Sequence, residues 1–134
     1  MAQRLLEYKT KMTDPALSLA AYPSIPTGTL IANTIVKGRP GYLTGFTIET
    51  TTTEGDLTVE VWDMDQAMVT AVAGVPNAVT HLRIARLTLR TTTIGDMASW
   101  ATPNECGVEC QHGIYFYMTG DGQEPVYIVH GYYK

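Results

Sequence analysis

The chain has 134 residues, a formal net charge of −4, 45% hydrophobic and 16% charged residues, three histidines and two cysteines. That length fits one domain with a core large enough to stand without metal or disulfide staples. The composition argues against nucleic acid, whose phosphates need clustered Lys and Arg, and against a membrane helix, which needs roughly 20 consecutive apolar residues. A charged fraction well below the roughly 25% of an average domain leaves surface that a partner can cover without burying unpaired charge, as in a protein that assembles with others. Charge is unevenly distributed: residues 1–39 carry five basic and two acidic residues, whereas residues 40–80 carry six acidic and none basic. A basic segment on an acidic body can dock on an acidic neighbour, including another copy, or can be ordinary scatter on a solvated surface.

Residues 1–40 read as an extended N-terminal arm. MAQRLLEYKT lacks the continuous apolar stretch of a secretory signal, so folding in a reducing cytoplasm is expected. Residues 4–12 suit a strand or a helix. Asp14-Pro15 offers an N-cap with proline at the first helical position, so a short helical turn is expected over 15–21. The two prolines in YPSIPTG force extended backbone before them. A strand is expected within 30–36, closed by a turn at Lys37-Gly38-Arg39-Pro40-Gly41.

The body is expected over 41–134. Residues 41–63, GYLTGFTIETTTTEGDLTVEVWD, alternate with period two in aromatic, β-branched and polar residues, with a polar Gly-Asp turn between two runs. Such alternation marks half-buried antiparallel strands, and the stretch is expected to be a β-hairpin nucleus. Residues 68–75 are small and apolar, broken by Pro76-Asn77. HLRIARLTLR changes phase between Ile84 and Leu87, which fits a strand with a bulge near Ala85 or Arg86; Leu82, Ala85 and Leu89 also share a helical face, and the following threonine run favours the strand. Residues 94–113 read as loop. IYFYMT and VYIVHGYY alternate around the Gly120-Asp121-Gly122 turn, a closing hairpin. Six to eight short strands with turns between them predict an all-β fold, an antiparallel β-sandwich or barrel.

Chemistry is sparse. Cys106, Cys110 and His112 have the spacing of half a zinc site, with no second ligand pair following, so packed thiols are the simpler reading. Asp63 and Asp65 lie on the same side of an extended chain, but no further oxygen-ligand pattern accompanies them, and capping a strand end in water is expected. Ser18, Ser24 and Ser99 lack the context of a nucleophile, and no phosphate-binding glycine motif is present. No enzyme activity, cofactor or metal is therefore expected. Tyr115, Tyr117, Tyr127 and Tyr133 are expected to share one face opposite Phe116 and Ile128. Exposed aromatic rows occur at interfaces and in sugar sites. A subunit interface is favoured, since no Trp, Asp and Asn cluster accompanies them. With Arg4, Tyr8, Lys9, Lys11, Lys37 and Arg39 of the arm, they are the candidate protein-interface residues.

Two passages, GRPGYLTGFTIETTTTEGDLTVEVWD and CQHGIYFYMTGDGQEPVYIVHGYYK, resemble strand pairs of small jelly-roll decoration (cement) proteins on tailed-bacteriophage capsids. The resemblance covers a little over a third of the chain. It implies a jelly-roll-like β-sandwich, often a homotrimer, made in the host cytoplasm and bound to the major capsid protein on the virion surface. A small carbohydrate- or receptor-binding module of a tail or fibre is the alternative expectation.

Overall fold

The computed structural model describes residues 22–50, 56–90, 96–102, 106–120 and 127–134, with the backbone alone at 120 and 127. Its elements are β1 (Ile25–Leu30), β2 (Thr34–Lys37), β3 (Gly41–Thr50), β4 (Asp56–Asp63), α1 (Gln66–Ala71), β5 (Leu82–Arg90), β6 (Met97–Ala101), β7 (Val108–Cys110), β8 (Ile114–Gly120) and β9 (Tyr127–Tyr133). They form two antiparallel sheets. The front sheet has the order β1-β9-β3-β6, with β7 also paired to β3; the back sheet has the order β2-β8-β4-β5. Successive strands mostly cross from one sheet to the other, which makes the all-β sandwich a jelly roll.

The two expected hairpins do not form. β3 lies in the front sheet and β4 in the back; β8 lies in the back and β9 in the front. Each strand's hydrogen-bonding edges are already filled by partners distant in sequence: β3 pairs with β9 on one side and β6 and β7 on the other, and β4 pairs with β8 and β5. Alternation reports that one face is buried but is silent on which strand lies alongside. The turns expected at 51–56 and 119–122 fall largely outside the described residues.

The boundary between arm and body also moves. β1 pairs with β9 and β2 with β8, so the sandwich takes in residues 25–37 as one edge strand of each sheet. The segments 4–12 and 15–21 lie outside the described residues. Within 94–113, expected as loop, β6 and β7 pair along β3.

The core lies between the sheets. Leu43, Phe46, Ile48 and Val129 of the front sheet meet Leu57, Val59, Val61, Ile114, Phe116 and Met118 of the back sheet. Phe46 packs edge-on to Phe116 with centroids 5.6 Å apart, and Trp100 stacks on Phe46 at 5.7 Å. Leu43 and Phe46 cannot share a face on a regular strand. The register passes from Leu43↔Tyr133 to Gly45↔Tyr132, so Thr44 is the extra residue of a bulge that brings both inward. In β5 the register passes from Ala85↔Val61 to Arg83↔Trp62, leaving Ile84 extra, next to the expected irregularity. A second apolar cluster covers part of the back sheet's outer face: Trp62, Met64 and Tyr115 under Met68, Val69 and Val72 of the α1 region. Asp65 caps α1, its Oδ1 accepting from the Met68 N–H at 2.9 Å.

Candidate interaction surfaces

The expected tyrosine row is split between sheets. Tyr115 and Tyr117 are neighbours on the back sheet, with ring centroids 6.3 Å apart. Tyr115 is 2% exposed, and its hydroxyl donates to the Gly74 carbonyl at 2.7 Å. Burial, and then the neighbouring Tyr117, raise its pKa. Its contacts are spent inside the chain. Tyr133 ends β9 in the front sheet and packs partly buried against the main core. The side chain of Tyr127, and all of Arg4, Tyr8, Lys9 and Lys11, lie outside the described residues. Lys37 is half-buried and Arg39 exposed at the β2–β3 turn.

Asp63 is 3% exposed. Its Oδ1 accepts from the backbone N–H of His112 at 2.7 Å and of Gly113 at 3.2 Å, and its Oδ2 from that of Gln111 at 2.9 Å. The carboxylate is held by three donors of the β7–β8 turn, in place of the water expected at a strand end. Gly113 fits there because a Cβ would lie 2.5 Å from the Met64 carbonyl oxygen and 2.7 Å from that of Lys37. Cys106 and Cys110 are not bridged. Burial first, and then the Asp63 charge, push the Cys110 thiol up to about 12. Among the described residues no cluster of three or more His, Cys, Asp or Glu is placed to hold a metal ion.

Two surfaces stand out. The first follows α1. Residues 75–82, VPNAVTHL, contain no Lys, Arg, Asp or Glu. Val75, Val79 and Leu82 are 58%, 92% and 62% exposed. Four hydrogen bonds set the turn that carries Val79. Asn77 Oδ1 accepts from the Val79 N–H at 2.9 Å, and its own N–H donates to His81 Nδ1 at 3.0 Å. The Asn77 carbonyl accepts from the N–H groups of Thr80 and His81 at 3.1 and 2.8 Å. An asparagine bonding its own backbone two residues on is what fixes such a turn. The Tyr115–Gly74 bond anchors the loop's start to the back sheet. From Leu82 the chain continues into the exposed Arg83, Arg86 and Arg90. Arg83 meets Glu60 at 3.2 Å and Arg90 reaches Asp56 at 3.9 Å, so among the described residues Arg86 has no carboxylate partner. Proline, asparagine and loop composition signal a turn here, but nothing local says that its apolar tip faces out.

The second surface is the outer face of the front sheet. The register lays Thr29, His130, Thr47 and Ser99 across all four strands, and beside that row Pro26, Tyr132, Gly45 and Ala101. Gly45 and Ala101 offer almost no side chain next to the half-exposed Tyr132, so the face is depressed there. The groove has a volume of about 370 Å³; the hydroxyl residues Ser24, Thr44, Thr47 and Ser99 line it together with a larger apolar surface that includes Phe46, Trp100, Ala101 and Tyr132. Gly45 is required for the close approach of β6, since a Cβ would stand 2.9 Å from the Trp100 carbonyl oxygen. Comparison with protein-family models, curated proteins and solved structures finds no match to this chain.

Proposed function

We propose that this protein is a virion structural component, a capsid decoration protein. It binds the outer surface of a bacteriophage shell as a homotrimer and holds neighbouring major capsid proteins together by protein–protein contacts. A jelly roll serves shells, lectins and enzymes alike, so the fold does not select among them. The observation that carries the reading is the turn over 75–82: apolar, uncharged, and held by four hydrogen bonds with Val79 almost fully exposed. An exposed valine is ordinary; three exposed apolar side chains in eight uncharged residues, on a backbone already fixed, form a docking knob. Preordering removes much of the entropy cost of binding. Each knob contributes little, and several copies held together give avidity that no single contact has.

The test is binding to shells that lack the protein. Val79→Asp leaves the fold intact, because the side chain touches little, and places a carboxylate in the docking surface. It is expected to weaken shell binding by about tenfold or more, read by co-sedimentation. Binding equal to that of the unsubstituted chain would contradict the assignment of this surface.

A further inference from the structure

We propose that the groove over Gly45 on the front sheet is a binding site for a neutral pyranose saccharide. Three properties select that ligand class. First, among the described residues the lining carries hydroxyls and no charge: Ser24, Thr44, Thr47 and Ser99 contribute hydroxyls, and no described Lys, Arg, Asp or Glu lines the groove. Among those residues an anion finds no cation and a cation no carboxylate. The hydroxyls stand in two pairs, Ser24 with Thr44 at 3.0 Å and Thr47 with Ser99 at 2.9 Å. A hydroxyl has one donor and two acceptor positions, so each pair keeps a proton and several lone pairs to offer. Sugar hydroxyls, which donate and accept at once, match that inventory, and the C–H faces of a sugar match the apolar surface that Phe46, Trp100 and Ala101 add to the groove.

Second, Tyr132 stands 50% exposed at the groove's side. A tyrosine ring presents a flat apolar face with a polar tip, suited to the C–H face of a pyranose. The volume of about 370 Å³ falls within the range of small-molecule sites, roughly 300–1,000 Å³.

Third, the backbone is shaped to make the groove. Residues 44 and 47 would point to opposite faces of a regular strand. The bulge at Thr44 puts both beside the groove, and the missing side chain at Gly45 opens the space between them. The site lies on the front sheet whereas the 75–82 turn is anchored to the back sheet, so saccharide binding stands or falls separately from shell binding.

The experiment is saturation-transfer NMR and calorimetric titration of the full chain with methyl glycosides of glucose, galactose, mannose and N-acetylglucosamine, and with their short oligomers. At least one is expected to bind saturably. Tyr132→Ala, and separately the pair Thr47→Val with Ser99→Ala, are expected to weaken that binding by about tenfold. Val79→Asp is expected to leave it unchanged. Circular dichroism checks that each variant folds. If no member of the panel binds, or if binding persists unchanged in both groove variants, the proposal is overturned.

Discussion

A carboxylate leaves water only where donors replace it, and Asp63 has three backbone donors arranged around it. Removing it would strand three N–H groups, that of Gly113 buried and those of Gln111 and His112 part-buried, each costing about 1 kcal/mol. Asp63→Ala is therefore expected to lower stability by about 3–4 kcal/mol, read as a fall in the urea midpoint, whereas Asp65→Ala, which removes one cap, is expected to cost about 1 kcal/mol. Trp62 points the other way. Its Nε1 is buried and has no hydrogen-bond partner among the described residues. Trp62→Phe removes that orphan donor along with some packing, so its expected cost, under about 1.5 kcal/mol, is well below a usual tryptophan truncation. At Cys110, a native thiol titrating at about 12 against an ordinary 9.0 stays neutral while the unfolded thiol ionises. Its contribution to stability is complete below pH 9 and is lost as pH rises from about 9 to about 12; in the folded protein a thiol reagent should leave Cys110 unlabelled at pH 8 until denaturant is added. Asp65 was expected to cap a strand end in water and instead caps α1. The sequence could not point to the nest around Asp63, because the donors come from residues 48 to 50 positions away.

At the scale of elements, period-two alternation was legible in β3, β4, β8 and β9, and the phase slip in HLRIARLTLR located a bulge to within a residue or two. Pairing was not legible. Polar turns rich in Gly and Asp suggested hairpins, yet the same composition suits a link between strands of different sheets. β6 and β7 escaped notice because five- and three-residue strands are too short for their alternation to stand out among Gly, Pro and Asn. β1 escaped because Pro26 and Gly28 disfavour a regular strand; β1 is an edge strand with a register shift there, where both are tolerated. The packing of one sheet on the other also makes a prediction. Phe116 joins the sheets through its edge-on contact with Phe46, so Phe116→Ala is expected to cost about 3–5 kcal/mol in equilibrium unfolding. Gly45→Ala is expected to destabilise by about 1–3 kcal/mol, because its Cβ meets the Trp100 carbonyl, which side-chain movement cannot relieve.

At the scale of the whole molecule, the class of fold followed from composition and alternation, while the surfaces depended on register and could not. Tyrosines that alternation placed in one row are divided between two sheets, and two of the surfaces the described residues present are an apolar turn at the back and a groove with paired hydroxyls at the front. The proposed homotrimer has an expected mass of about 44 kDa by light scattering, three times the 14.7 kDa of one chain. The most direct measurement of the central claim is a titration of the purified protein onto the bacteriophage shells it is proposed to decorate, prepared without it, with bound copies and shell melting temperature followed together. The account predicts saturation at a fixed number of copies per lattice site and a shell that melts at higher temperature as the sites fill. Shells that take up no protein, or that take it up and melt unchanged, would contradict it.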